Sequence, residues 1–134
     1  MNTAHFDAFL AAARAEPEPQ RLLFVFGVAE LPPGATPGQA RRHHEGRGGT
    51  LAPVMCVDKS VDELTSFAEL ARESEATGQP WDMVFAGALA GRDGAPPAAA
   101  DVERALRGMI GAIHRGAIEK FLVLDRQGQL LQFS

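Results

Sequence analysis

Two apolar runs dominate the pattern of hydrophobic and polar positions along the chain. The first spans 21–29 and reads RLLFVFGVA, and the second spans 82–90 and reads DMVFAGALA. Neither run alternates cleanly between apolar and polar residues, so protein must cover both faces of each predicted strand. The two runs therefore predict the interior of a sheet that has helices packed on it.

Three segments have the spacing of amphipathic helices. Residues 3–15 and 99–115 repeat apolar residues at i, i+3, i+4 and i+7. Residues 60–77 open with a capping box, in which Ser60 is the N-cap and Glu63 reaches back to it. Proline or glycine stands where each segment should end. The residues expected to be buried on the last helix are Val102, Leu106, Met109, Ile110 and Ile113.

Two further stretches predict strands. In 51–57, Pro53 favours an edge position or a bulge, because proline cannot donate to the hydrogen-bond ladder of a sheet. Residues 121–124 and 130–133 flank a turn with Gly128 in its left-handed position, which predicts a C-terminal β-hairpin.

The elements follow the order α-β-(short α)-β-α-β-α-β-β. Short connections around 60–77 predict that the second and third strands are parallel and are joined by a right-handed crossover. We therefore predict an α+β fold, with a mixed sheet of four to five strands and three main helices packed on it. All 134 residues are expected to form a single domain.

Residues 30–50 differ from the rest, being rich in Pro and Gly and almost free of large apolar side chains. Thr36, Pro37 and Gln39 have the spacing of a capping box, and Gly46 suits a helix end, so a short polar helix is expected over 37–45. We expect this segment to be mobile. Because function is often carried by loops on a rigid scaffold, this segment and the strand-end loops are the expected contact surface.

Charge and cysteine content exclude several classes of protein. A net charge of −4 gives no general attraction to nucleic acid or to an anionic membrane, so neither is an expected partner. One cysteine excludes an intramolecular disulfide and fits a reducing compartment. The first residues lack the cationic region of a signal peptide, and no stretch approaches the roughly 18 apolar residues of a membrane span. These features predict a cytoplasmic protein.

Cys56 is the one thiol, and it stands just before Lys59 and a predicted helix start, a setting that favours a reactive thiolate. Unpaired cysteine more commonly behaves as a small buried hydrophobe. With Val54 and Cys56 on the same side of the strand, we expect Cys56 to be buried and slow to react.

The basic cluster consists of Arg41, Arg42, His43, His44 and Arg47. Adjacent histidines on a helix point about 100° apart, so only one of them could join a metal site without ligands from elsewhere. A solvated polar helix is the plainer interpretation. Binding of an anion or a partner protein by the arginines fits better than a metal, so no metal or cofactor is predicted.

Charged residues also follow the predicted strands: Glu30, Asp58, Arg92, Asp93, Asp125 and Arg126. In a parallel sheet they would converge at the carboxyl edge, where open α/β sheets bind ligands, but most such residues are solvated turn residues. The phosphate-binding motifs GxGxxG and GxxxxGK[ST] are absent, as are HExxH and GxSxG. The single tryptophan, Trp81, is expected to seal one end of the core, whereas exposure would indicate a binding hot spot.

Three stretches together carry a resemblance to a known family: PQRLLFVF at 19–26, VMCVDKS at 54–60 and FLVLDRQG at 121–128. They resemble a family of small, uncharacterised proteobacterial proteins whose members often carry the label "ribonucleotide reductase subunit alpha". Radical chemistry on that large subunit requires a ten-stranded barrel and several cysteines. This chain has one cysteine, so the resemblance implies a family without a function.

No catalytic signature accompanies the predicted core. The expected function is therefore that of a small cytoplasmic, non-catalytic domain that binds or regulates a partner protein, with Arg41, Arg42, His43, His44, Arg47, Asp58, Arg92 and Asp93 as candidate contact residues. The alternative is an enzyme or small-ligand-binding protein that uses the charged residues at the strand ends, with or without Cys56. An enzyme requires a concave pocket with convergent polar groups, whereas a binding domain can instead expose an apolar surface.

Overall fold

The computed structural model describes residues 3–30 and 50–131. The elements in chain order are α1 (Ala4–Ala15), β1 (Gln20–Glu30), β2 (Thr50–Ser60), a 3-10 turn (Val61–Glu63), α2 (Phe67–Glu75), β3 (Met83–Ala90), α3 (Ala99–His114) and β4 (Leu122–Asp125). The protein is therefore α+β, as the sequence predicts. None of the helices in these ranges is long and apolar enough to cross a membrane. The short helix predicted over 37–45 lies outside the described residues.

The four strands form one sheet in the order β2-β1-β3-β4, and every pairing is antiparallel. The predicted mixed sheet is therefore wrong. β2 and β3 do run in the same direction, but β1 lies between them and is antiparallel to both. The connection through α2 thus crosses over β1 instead of joining neighbouring strands.

β1 takes one of the two interior positions because both of its faces are apolar. Leu22, Phe24 and Phe26 face one side and Leu23 and Val25 face the other, and all five are buried. Burying each such side chain contributes about 1.5–3 kcal/mol relative to leaving it in water. The first face packs against residues of α1 and α2: Phe6, Leu10, Ala13, Phe67 and Leu70. The second face packs against residues of α3: Val102, Met109 and Ile113.

The helix predicted over 99–115 is confirmed as α3. Its end is set by Gly116, which has φ of 72°. The N–H of Gly116 donates to the carbonyl of Ile113, and the N–H of Ala117 donates to that of Ala112 at 2.8 Å. This pair of bonds is a Schellman motif, which satisfies carbonyls that the helix itself leaves unpaired.

The helix predicted over 60–77 is shorter than expected. Ser60 and Glu63 do form the capping box, but it opens only the 3-10 turn. Leu64 then adopts an extended backbone and is fully buried, which carries the chain out of the helix. α2 begins after a second cap, Ser66, whose Oγ accepts the backbone N–H of Glu69 at 3.1 Å.

The C-terminal turn has the predicted form. The Asp125 carboxylate accepts the backbone N–H groups of Gln127 and Gln129, and Gly128 has φ of 83°. An antiparallel bridge pairs Leu124, before the turn, with Leu130, after it. The rest of the predicted hairpin strand, from 132 onward, lies outside the described residues.

Candidate functional site

β2 is an edge strand with an irregularity in its pairing. Ten of its eleven residues pair with β1 on one side, and no described strand pairs with the other side. Phe26 lies opposite Met55 whereas Gly27 lies opposite Pro53, so Val54 is an extra residue in β2. Pro53 was expected to mark an edge strand or a bulge. It lies on an edge strand and next to the bulge at Val54. The outer edge of such a strand offers backbone N–H and C=O groups to another chain.

The extra residue at Val54 changes which β2 side chains face the core. Val54, Met55 and Val57 all pack against the cluster that lies under α1 and α2. Cys56 lies opposite Val25, on the other face, and is exposed. The prediction that Cys56 is buried is therefore wrong, because the bulge breaks the alternation that grouped Cys56 with Val54.

A groove runs between β2 and α2 and has a volume of about 420 Å³. We call it the β2 groove. Phe26 of β1 contributes to its base, and the remaining lining comes from the two flanking segments: Val54, Met55, Cys56, Val57, Leu70, Glu73, Ser74, Thr77 and Gln79. The lining is mainly apolar, and its volume falls in the range of about 300–1,000 Å³ that is usual for ligand sites.

Polar contacts tie β2 to α2 and to the turn that follows α2. Lys59 Nζ lies 2.7 Å from Glu73 Oε2, and Thr77 Oγ1 lies 3.5 Å from Met55 Sδ. The hydrogen bond to Glu73, together with the charges of Glu73, Glu63 and Glu69, raises the pKa of Lys59 above its ordinary value. Lys59 is therefore a cation surrounded by carboxylates at one end of the groove.

The α2 wall of the groove is fixed by a buried hydrogen bond. Ser74 is 5% exposed; its hydroxyl donates to the Ala71 carbonyl at 2.6 Å and accepts the Trp81 Nε1–H at 2.8 Å. Trp81 is 2% exposed and packs edge-to-face against Phe26 with ring centroids 4.9 Å apart. Trp81 thus seals the core, as expected, and it holds the groove wall through Ser74.

Asp58, one of the predicted contact residues, is held in an ion pair. Its carboxylate accepts from Arg21 Nε at 2.7 Å, and the same guanidinium reaches Glu63 at 3.2 Å. Asp58 lies opposite Leu23, on the α3 face of the sheet. There it lines a separate cleft with Pro96, Pro97 and residues of α3.

Arg92 and Asp93 are exposed in the loop after β3. Arg92 forms an antiparallel bridge with Ala95, and Asp93 has a positive φ of 55°. Both residues line a more polar cleft of about 650 Å³, together with Asp101 and Arg104 of α3. This cleft shares no lining residue with the β2 groove.

The antiparallel sheet divides the strand-end charges between its two ends. The β1 start pairs with the ends of β2 and β3, which places Asp58 and the 92–93 loop at one end. The β1 end pairs with the start of β2, and Asp125 lies opposite Met83, at the other end. The strand-end charges therefore do not converge on one site.

The basic cluster of Arg41, Arg42, His43, His44 and Arg47 lies outside the described residues, so its predicted roles stay predictions. Within the described ranges, no group of three or more His, Cys, Asp or Glu side chains has the arrangement of a metal site.

Apart from Cys56, sequence reasoning did not single out the residues of the β2 groove. Met55 and Val57 resemble ordinary core positions in the sequence, and Thr77 resembles a residue of a helix end. The available signal was Pro53, because a proline that favours an edge strand also indicates where a sheet is open to another chain.

Comparison of this chain with protein-family models, with curated proteins and with solved structures finds no match. Function is therefore inferred from the geometry of the protein alone. In that geometry, two features stand out: the edge of β2 that no described strand covers and the apolar groove beside it.

Proposed function

We propose that this chain is a small, non-catalytic binding domain that takes up an extended segment of a partner protein as an added strand on β2. The observation that carries the proposal is the juxtaposition of an eleven-residue edge strand and an apolar groove of about 420 Å³ beside it. In strand addition, backbone hydrogen bonds supply affinity, and pockets for alternate side chains supply specificity. The edge of β2 and the β2 groove offer these two elements side by side.

The polar groups of the groove favour binding over catalysis. The Ser74 hydroxyl is engaged with Ala71 and Trp81, and the Glu73 carboxylate is engaged with Lys59. Cys56 borders the groove, but the register of β2 places its side chain on the α3 face of the sheet, opposite α2. Nucleophilic catalysis requires a nucleophile within reach of a general base. The described lining of the groove does not assemble such a pair.

The shape of the site favours a peptide over a small molecule. Alternate side chains of an added strand lie on the same face, about 6.5–7 Å apart along the strand. Side chains on one face of the added strand would thus be directed toward α2, where Val54, Met55, Val57 and Leu70 offer apolar surface. The side chains between them would lie on the Cys56 face.

A selection experiment tests the proposal. The full chain is immobilised and used to select binders from a displayed library of random peptides, and the bound peptides are then mapped by amide hydrogen exchange. We expect the peptides to slow exchange at alternate amides of β2. Failure to select any peptide, or protection of the 92–97 loop instead of β2, would refute strand addition.

Two variants and a control sharpen the test. Val54→Lys places a charge at the groove and at the edge, and natural edge strands use such charges to avoid pairing. Gln79→Trp fills the groove from an exposed position. Each should weaken peptide binding by about tenfold or more, as for the loss of a central contact. Ala88→Lys changes an exposed residue of β3 outside the groove lining and should bind peptide like the natural sequence. Equal binding by all three variants would contradict the proposed site.

A further inference from the structure

We propose that the segment taken up by β2 is basic, with an apolar anchor residue flanked by Lys or Arg. This inference rests on the proposed function and specifies the chemistry of the partner. It follows from the distribution of charge around the groove.

The negative charge of the chain is concentrated in the segment that supplies the α2 wall of the β2 groove. Residues 58–78 contain six acidic and two basic residues, a net charge of −4, which equals the net charge of the whole chain. The remaining residues carry equal numbers of acidic and basic side chains. This acidic segment comprises the end of β2, the 3-10 turn and α2.

Among the described residues, ion pairs account for only part of this charge. The Lys59 ammonium binds Glu73 at 2.7 Å, Arg21 binds Asp58 and Glu63, and Arg126 binds Glu75 at 3.1 Å. The Glu69 carboxylate accepts a hydrogen bond from the uncharged Thr65 hydroxyl at 3.0 Å. Glu69 also lies one helical turn before Glu73 on α2.

Like charges at this spacing repel each other. A cation on a bound segment would relieve that repulsion. The hydrogen bond with Glu73 is the main cause of the raised pKa of Lys59, and the charges of Glu73, Glu63 and Glu69 add to it.

The same charge disfavours a second copy of this chain as the occupant. Pairing of β2 with β2 of another molecule would bring two acidic segments together, and juxtaposed like charges oppose association. The polar cleft near α3 gives no such direction, because its charged residues, Arg92, Asp93, Asp101 and Arg104, are balanced in sign. The excess of acidic residues therefore distinguishes the β2 groove from this polar cleft.

The peptides from the selection described above supply the first measurement. We expect Lys and Arg to be enriched, relative to the starting library, at the positions that flank the apolar anchor. The strongest binder is then synthesised with a fluorescein label in three forms, in which the flanking residues are all Lys, all Ser or all Glu. Fluorescence anisotropy against the full chain gives the affinity of each.

We expect the Lys form to bind about tenfold more tightly than the Ser form at low salt, as for two or more exposed ion pairs acting together. The Glu form should bind more weakly still. The differences should shrink at about 1 M salt, where the Debye length is near 3 Å, because exposed charges are then screened.

Variants locate the effect. Glu69→Gln removes a carboxylate without touching the Lys59–Glu73 pair, and Glu69→Gln with Glu73→Gln removes both. Each should reduce the preference for the Lys form over the Ser form. Glu69→Gln, which lies outside the groove lining, should also leave binding of the Ser form unchanged. Glu103→Gln removes an ion-paired, exposed carboxylate on α3, at 3.6 Å from Arg107, and should leave the preference intact.

The outcomes separate the two proposals. Equal affinity of the Lys and Ser forms, or no enrichment of basic residues, overturns this inference and leaves strand addition standing. Binding of the Lys form that survives Val54→Lys also overturns it, because the attraction is then not located at the groove. Failure of the selection overturns strand addition itself and with it this inference.

Discussion

Gly128 offers a sharp test of the packing beneath the C-terminal turn. Its φ is 83°, a region that side chains rarely adopt, and a Cβ placed there would lie 2.9 Å from Cδ2 of Phe67 and 3.1 Å from Cγ2 of Thr3. Gly116 at the end of α3 also has a positive φ, 72°, but a Cβ there would meet nothing within 4 Å. The two glycines therefore share a backbone requirement and differ in the space around them.

The expected losses follow from that difference. A left-handed residue with a Cβ costs roughly 1–2 kcal/mol, which is the expected effect of Gly116→Ala. Gly128→Ala adds overpacking against a core aromatic ring, typically about 1–3 kcal/mol. The total for Gly128→Ala is thus about 2–5 kcal/mol, and the free energies of unfolding of the two variants should differ by about 1–3 kcal/mol.

Urea unfolding followed by the fluorescence of Trp81 measures both values. A second measurement isolates the ring: Gly128→Ala should be less destabilising in a Phe67→Leu background, because contacting residues are not additive when one relieves the strain of the other. Equal losses for the two alanine variants, or full additivity with Phe67→Leu, would show that the turn does not press on α2.

Ser74→Ala removes the acceptor of the buried Trp81 N–H and should cost about 1–3 kcal/mol in urea unfolding, whereas Ser74→Thr, which keeps a hydroxyl, should lose less. The exposed Cys56 thiol should react with a disulfide reagent nearly as fast in the native protein as in urea, and labelling slower by orders of magnitude would contradict its exposure. Bonds from the Ser60 backbone N–H and side chain lower the pKa of Glu63 below its ordinary 4.5, so their stabilising contribution is present above pH 4.5 and is lost as the pH falls through the lower, folded-state pKa. Glu63→Gln should make unfolding free energy less dependent on pH in that range, and an unchanged dependence would contradict the capping interaction.

Local features of the sequence predicted most of the elements. The periodicity of α1 and α3, the apolar runs of β1 and β3, and the glycine of the last turn each act within a few residues. The order of the strands depends on distant pairings, and short connections were not enough to predict that β1 separates β2 from β3. Similarly, the extent of α2 depends on Leu64, which leaves the helical path because the core takes its side chain.

The site was less predictable than the fold because it depends on one register shift. A single extra residue reverses the faces of the side chains on one side of it relative to the other. The extra residue lies at Val54, and its position is set by the alignment of β2 with β1, which the sequence of β2 alone does not contain. Cys56 therefore leaves the core face, and Met55 and Val57 become the wall of the groove.

The position of the groove along β2 argues that the open edge is a functional feature. Edge strands commonly avoid unwanted pairing through proline, bulges and charged residues. Pro53 and the bulge at Val54 disfavour strand pairing near one end of β2, and the charged residues Asp58 and Lys59 disfavour it near the other. The stretch between these two features contains Met55 and Val57, which also line the apolar groove. The stretch of β2 that is left free for pairing therefore lies beside the apolar groove, and this coincidence supports the proposed uptake of a strand.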